Sequence, residues 1–466
     1  VVIDYFQRRQ DIMSEMTKAV PQHVVAVVGG ATAGAEIAHI LAQRGALVIV
    51  FEQNARPYGK IEDGLPRWHA KQRKDEYAEI NRRLDHPNVE FVPLTKLDSK
   101  LGFDELRTGW GLNAIVLTNG AWRDRPFPVA GADQFISRGL IYQNPLIYWF
   151  NHHEERGYEG PQFELSPGGI VIGGGLASID VVKVLQIETA LAALRARGID
   201  EQMMRLEREG VDAVLQSHNL KWDDLGVAAC KLFYRRRVID MPLSDIPPDA
   251  PPKRAESLRM ARVKILEKAQ RKYLFEFQDQ RVPTGLLIEN GQLVGLEMSH
   301  TEVIDGKART LPGTAEPVRG PFVVSSIGSI PEPMAGVPQK GEVYAYEDLS
   351  IGLLMDGSTR VYAAGNVLTG KGNIKDSLDS GTEIGVHVAE RYLGLSPDEH
   401  PALTDIAREA AHEAGEQIAA SIEGTPKLSP SAVDRIRERV RELQKSVGYK
   451  GDYHGWLARI TPPDLQ

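Results

Sequence analysis

Glu52 ends an apolar run about 20 residues past the first glycine of Gly29-Gly30-Ala31-Thr32-Ala33-Gly34, and a carboxylate at that spacing is an acceptor for a ribose diol. A glycine turn ahead of a helix lets a pyrophosphate approach backbone amides closely, and the helix N-terminus favours its charge. Together these residues read as a dinucleotide site for FAD or NAD(H), because the Glu52 carboxylate repels the 2′-phosphate of NADP(H). Ala31 departs from the pattern: it stands where the second glycine belongs, and its methyl group is expected to crowd the pyrophosphate. The alternative is an unrelated βα unit with a glycine turn.

Gly173-Gly174-Gly175-Leu176-Ala177-Ser178 repeats the arrangement. Ser178 replaces the third glycine and is small enough for a helix to pack on its strand. Two such units in one chain arise by accident much less readily than one. The second unit ends with the opposite charge: an apolar strand expected at 226–233 leads into Tyr234-Arg235-Arg236-Arg237. Guanidinium groups where the first unit has Glu52 suit a 2′-phosphate, which arginine grips with two parallel donors. This site is therefore expected to hold NADPH, and the alternative is a solvated basic edge.

Local patterns supply the elements that must carry these residues. Unbroken apolar runs at 24–28, 46–51 and 170–172 predict buried strands, and helical spacing follows at 35–43 and 179–185. Between the units lie a loop at 57–66 punctuated by Gly59 and a strand from 114 ending in the small turn Asn119-Gly120-Ala121. Asn373, with Asp376 three residues on, predicts an N-cap, so a helix starts just after Gly372. Its first amides, near Ile374 and Lys375, would stabilise negative charge. Leu378, Gly381, Gly385 and Ala389 give that helix a stripe for close approach, and an ordinary packed helix would leave the glycines unexplained. Residues 186–224 mix helical patterns with charge, 247–252 are proline-rich, and 253–272 read as a basic amphipathic helix. Two more helical patterns, at 402–422 and 430–447, are expected to cover the first domain or hold a second protein.

At 466 residues the chain exceeds one core and predicts two or three domains. A net charge of -8 offers no basic excess for nucleic acid, and no apolar run is long enough for a membrane span. Residues 1–20 mix Asp4, Arg8, Arg9 and Asp11 with apolar side chains. That pattern reads as an amphipathic helix, not a signal peptide, so a cytoplasmic location is expected. Cys230 is the one cysteine; a redox-active cysteine pair, a cysteine-ligated cluster carried by this chain and a disulfide framework are all excluded.

Tyr234-Arg235-Arg236 followed by Met241-Pro242 resembles the signature of the glutamate synthase small-subunit family. Residues 323–329, 361–366 and 370–374 resemble more closely adrenodoxin reductase and its bacterial ferredoxin–NADP reductase relatives. The resemblance covers about 24–393 and implies an α/β fold of two Rossmann-like dinucleotide-binding domains. In it the FAD domain is split by an inserted NADPH domain, here 22–130 and 329–394 around 131–328. A helical arm at 1–21 and a helical C-terminal extension at 395–466 complete the expected organisation. The resemblance further implies that 362–366, with Gly365, meets the flavin ribityl chain, Asn366 replacing the family's aspartate or tryptophan. It sets Gly372 beside the isoalloxazine and His69 where the reductases keep an active-site histidine, the alternative being a surface or core histidine. The implied function is electron transfer between NADPH and a one-electron carrier, ferredoxin first, with the basic helix as a possible docking surface. The alternatives are an electron-input subunit of a larger iron–sulfur complex and a non-catalytic, redox-sensing flavin-binding protein.

Overall fold

A computed structural model describes residues 21–247, 249–395 and 425–462; the arm at 1–20 and the helix at 402–422 expected above lie outside them. The described residues within Val1–Glu62, Ala70–Arg123 and Ser329–Gln466 form one compact unit, and Asp63–His69 with Asp124–Gly328 form a second. The division falls at Arg123/Asp124, where the sequence reading sets it after residue 130.

The first unit opens with β1 (Val24–Val28), five residues buried on both faces as a central parallel strand requires. After the glycine turn, α1 (Thr32–Gln43) begins three residues before the predicted 35, because Ala31 already serves as its N-cap. It buries Ile37, Ala38, Leu41 and Ala42, a stripe at helical spacing. Then follow β2 (Leu47–Phe51), α2 (Ala70–Leu84), β3 (Val89–Val92) and β4 (Ala114–Leu117). β1 pairs in parallel with β2 and β4, and β2 with β3.

In the second unit the chain runs through β5 (Leu140–Tyr142), α3 (Gln143–His152), β6 (Ile170–Gly173), α4 (Leu176–Arg195) and β7 (Lys231–Phe233). The strand expected at 226–233 is shorter at its start. Gly226, at φ +71°, closes the short helix Trp222–Leu225, and the Val227 carbonyl accepts from the Trp222 indole, so the backbone there is engaged elsewhere. The basic pattern at 253–272 forms α5 (Pro252–Tyr273), started by proline in its first turn. Next come β8 (Glu276–Gln278) and an antiparallel sheet absent from the sequence reading: β9 (Arg281–Glu289), β10 (Gln292–Ile304), β11 (Lys307–Thr310) and β12 (Glu316–Arg319). Asn290 and Gly291, at φ 51° and 75°, make the tight turn between β9 and β10. β13 (Val323–Ser326) then inserts between β5 and β6, giving the parallel order β5-β13-β6-β7-β8.

The chain returns to the first unit with β14 (Leu353–Met355) and β15 (Arg360–Ala363), completing the order β14-β15-β4-β1-β2-β3, in which β14 alone is antiparallel. Asn373 caps α6 (Ile374–Val386) as expected, its side chain accepting from the Asp376 amide at 2.7 Å. The glycine stripe is explained by α1: a Cβ on Gly381 would lie 2.9 Å from the Ala33 carbonyl oxygen, and one on Gly385 would lie 3.1 Å from Ile40. Of the tail, α7 (Pro430–Ser446) and α8 (Tyr453–Ile460) are described, and both cover the first unit. Val433, Ile436 and Val440 of α7 enter the cluster built on Phe103, Leu106 and Trp110. Burying such side chains stabilises by roughly 1.5–3 kcal/mol each.

Candidate functional sites in the two units

In the first unit the glycine turn is a cradle that side chains would fill. Gly29 sits at φ +102°, and a Cβ there would lie 2.7 Å from the Thr118 carbonyl oxygen; one on Gly34 would overlap the Gly29 carbonyl. The Thr118 hydroxyl, 2.9 Å from the Val28 carbonyl and 2.7 Å from that of Gly29, holds the end of β1 against that of β4. No side chain caps α1; the Ala31 carbonyl accepts from the Ala35 amide at 2.8 Å, and the amides ahead of it have no capping side chain as acceptor. Glu52 is 3 % exposed; its Oε2 accepts from the Gly30 amide at 2.8 Å and its Oε1 from the Asn54 amide at 2.9 Å. The carboxylate expected for the ribose is thus anchored on the same turn expected for the pyrophosphate.

Ala31 has a partner that the sequence reading did not connect with it. Gly59, at φ +51°, lies so close that a Cβ there would be 3.0 Å from the Ala31 methyl group. The missing side chain of Gly59 makes room for the extra one of Ala31. Trp122 and Lys60 border the same region: the ring edge is 4.0 Å from a Cβ position on Gly59, its Nε1 is 3.8 Å from one on Gly120, and Lys60 Nζ is 5.7 Å from the ring centroid. Both residues were absent from the sequence-derived set, although an aromatic directly after a glycine turn is a legible signal.

At the other end of this unit Gly365 takes φ +74°, and a Cβ there would press to 2.9 Å from that of Ala33. Asn366 follows with its amide oxygen buried and unbonded, as is that of Asn119, whose Nδ2 bonds the Tyr344 hydroxyl. A glycine-lined cradle together with buried amide acceptors fits a ligand carrying hydroxyls and a pyrophosphate. Tyr362 is different: its ring is wholly buried and packs against His387 and Tyr392, so that side chain belongs to the core. Gly372 lies in an exposed loop, where a Cβ would meet only Asn366 Nδ2 at 3.5 Å, and Ile374 begins α6 behind it.

In the second unit a Cβ on Gly173 would strike the Ser326 carbonyl at 2.3 Å, whereas Gly175 has open space around it. Gly174 is covered by Tyr234, whose ring would be 2.1 Å from a Cβ there. Ser178 does more than stay small: its hydroxyl lies 2.9 Å from that of Ser326, which bonds Gln143. The first turn of α4 is free of a side-chain cap, and Leu176 and Ala177 are exposed there. Tyr234 donates to the Asp240 carbonyl at 2.9 Å and accepts from Arg236 Nε at 3.0 Å. Arg235 beside it is exposed, while Arg237 is held in an ion pair with Asp240. Of the three arginines, Arg235 is exposed next to the tyrosine that covers Gly174, Arg236 is bonded to that tyrosine's hydroxyl and to the carbonyls of Gly306 and Asp240, and Arg237 is paired with Asp240.

His69 belongs to this second unit. Its Nε2 is 3.8 Å from Asp180 Oδ1 on α4. Lys183, one turn on, reaches Glu207 at 3.0 Å and lies 4.5 Å over the Trp68 ring. Burial works to raise the Glu207 carboxyl, but the bond from Lys183 holds it below the usual range. Cys230 is buried just ahead of β7, its amide bonded to Gln186, and burial pushes its thiol far up. Among the described residues no group of three or more His, Cys, Asp and Glu side chains is arranged to hold a metal ion. No helix among them is long and apolar enough to cross a membrane.

No family model matches the chain. It is 25 % identical over 262 residues to the mitochondrial NADPH:adrenodoxin oxidoreductase of Arabidopsis thaliana, covering 53 % of this chain and 52 % of that one. It is 31 % identical over 164 residues to the glutamate synthase [NADPH] small chain of Bacillus subtilis, 34 % of this chain and 31 % of the relative. A probable ferredoxin/ferredoxin–NADP reductase of Mycobacterium bovis is 27 % identical over 252 residues, 47 % and 42 % of the two chains. The chain thus spans about half the length, or less, of the curated relatives it matches. Among solved structures, Mycobacterium tuberculosis FprA in complex with NADPH superimposes with a TM-score of 0.62 at 16 % identity, over 91 % of this chain and 90 % of that one. The chain therefore has the α/β fold of FprA, and its sequence relatives carry the names of adrenodoxin and ferredoxin reductases and of the glutamate synthase small chain.

Proposed function

We propose that this chain is an FAD- and NADPH-binding oxidoreductase that moves electrons between NADPH and a one-electron protein carrier, ferredoxin first among candidates. One observation carries the reading: two glycine cradles lie under helix starts that no side chain caps, with buried Glu52 beside one and Arg235-Arg236 beside the other. Similarity to the Arabidopsis and Mycobacterium reductases supports the same reading. When bound, a flavin accepts two electrons together and releases them singly, which is what joins a hydride donor to an iron–sulfur carrier.

The residues of the chain bind and orient. Gly29, Gly30, Ala31 and Gly34 form the pyrophosphate turn of the FAD site, Glu52 takes the ribose, and Gly59, Gly120, Gly365, Asn366 and Ile374 line the rest. Gly173, Gly175 and Ser178 shape the NADPH turn, while Arg235 and Arg236 take the 2′-phosphate. Gly372 leaves its part of the flavin site bare. His69 presents an imidazole whose Nε2 lies 3.8 Å from Asp180 Oδ1. The exposed cations Lys253, Arg254, Lys264, Lys268 and Arg271 of α5 offer an acidic carrier a complementary face.

The test is anaerobic: the purified protein is expected to be yellow, to bleach with NADPH, and to recover its colour when an oxidised ferredoxin is added. A colourless protein, or one that NADPH leaves yellow, would overturn the reading, the second result favouring a non-catalytic sensor. The Tyr234-Arg235-Arg236 signature and the Bacillus relative favour a second reading, an electron-input subunit of an iron–sulfur complex. Co-purification with a cluster-bearing subunit, and no reduction of free ferredoxin, would select it.

A further inference from the structure

We infer that α8, in the tail, positions the adenosine end of the first dinucleotide site by clamping the segment that carries Glu52. The inference rests on the reading of that site as an FAD site. Trp456 of α8 is buried, and its indole Nε1 donates to the Ala55 carbonyl at 2.8 Å. Tyr453, one turn earlier, donates to Asn81 Oδ1 at 2.8 Å, and Asn81 Nδ2 in turn donates to the Tyr58 hydroxyl at 3.1 Å. The Tyr58 ring stacks on Tyr77 with centroids 3.8 Å apart. Two side chains of α8 therefore grip residues 55 and 58, one directly and one through Asn81.

What they grip is the wall of the candidate site. Pro57 lies between the two gripped residues and closes on the glycine turn: its Cβ would be 2.9 Å from a Cβ on Gly30. The Gly30 amide is the one that Glu52 accepts, and Glu52 also accepts from Asn54, one residue before Ala55. α8 itself is built to stay: Asp452 caps it by accepting from the Gly455 amide, and Tyr453 meets Phe91 edge-on at 5.2 Å. Nothing in α8 has to touch the ligand for its loss to loosen the carboxylate.

The experiment uses the full-length holoprotein and follows release of FAD on dilution by its fluorescence. Trp456→Phe keeps a ring in the cavity and removes the bond to Ala55, and Tyr453→Phe does the same for Asn81. Each is expected to speed FAD release roughly threefold to tenfold, the range of one hydrogen bond. The flavin absorption spectrum and the dissociation constant for NADP+ should stay as in the parent, since the clamp acts at the adenosine end. In a Glu52→Gln background, Trp456→Phe should add little, because its effect passes through that carboxylate. Unchanged release in both single variants would overturn the clamp, as would a full additional effect in the Glu52→Gln background. A parent protein without FAD would instead overturn the assignment of the site itself.

Discussion

Glu52 and Arg235 stand just past β2 and β7, each the strand paired with the one that feeds its glycine turn, and carry opposite charges, so the proposed cofactor choice is a matter of single residues. Replacing Glu52 with alanine removes the acceptor of the Gly30 and Asn54 amides as well as the proposed ribose acceptor. We expect purified Glu52→Ala protein to carry much less flavin per chain, each ribose bond to a carboxylate being worth about 1.5–3 kcal/mol; flavin absorbance against protein content checks it. Arg235 and Arg236 are not equivalent. Arg235 is exposed, and its loss should cost NADPH about tenfold or more in apparent affinity while NADH changes little. Arg236 also donates to the hydroxyl of Tyr234, whose ring lies over Gly174, so Arg236→Ala should weaken both nucleotides. Flavin reduction measured with NADPH and NADH separates the two outcomes. Cys230, buried and with its thiol pushed up, should resist alkylation in the folded protein at about pH 8. Cys230→Ala should leave NADPH-driven flavin reduction close to that of the parent.

α3 ends on a histidine that fastens a connecting segment within the second unit. His152 is 5 % exposed and lies 3.1 Å from Asp63 Oδ1 and 2.7 Å from Glu155 Oε1. Burial works to lower its pKa, but the bonds to Asp63 and Glu155 win and hold it up at about 9. A protonated ring at the C-terminus of α3 also suits the negative end of the helix. Because the folded value exceeds the ordinary 6.5, this stabilisation is fully present below about pH 6.5 and fades as pH rises through about 9. It is on the order of 3 kcal/mol. Denaturant unfolding of the parent should therefore weaken between those pH values, and His152→Gln should flatten the dependence by losing stability at the low end. The same element-level view explains what the sequence reading missed. The β9–β10 hairpin carries a plain Asn290-Gly291 turn signal that was not used, whereas the early end of the 226–233 strand depends on Gly226 closing a short helix.

For the whole molecule, charge is unevenly spread. The chain carries a net -8, yet α5 holds eight basic residues against two acidic ones. Arg262 and Lys272 are spent on backbone carbonyls of Ser244 and Glu207, which leaves Lys253, Arg254, Lys264, Lys268 and Arg271 as the exposed cations. Steered encounter with an acidic carrier should then fall with ionic strength, the Debye length shrinking from about 10 Å at 0.1 M to about 3 Å at 1 M. We expect Lys264→Glu with Lys268→Glu to lower kcat/KM for ferredoxin several-fold and to flatten its salt dependence. Bleaching of the flavin by NADPH should be unaffected, because it needs no carrier. Stopped-flow reduction with and without ferredoxin tests both halves.

Local physics made much of this legible before any coordinates. Buried parallel strands write themselves as apolar runs, helix starts as small polar caps such as Asn373, and glycine turns as positions where a Cβ has no room. Those are interactions over a few residues, and β1, β2, β6, α1 and α6 were found from them. Tertiary contact decided the rest, because it joins residues that no spacing connects. It matched Ala31 to Gly59, covered Gly174 with Tyr234 while leaving Gly175 open, and put the Tyr362 ring in the core. It also assigned Asp63–His69 to the second unit and set α8 on residues 55 and 81 of the first. A sequence states which side chains exist and how the backbone near them turns; which of them meet across tens or hundreds of residues is settled only when the units close around their cores.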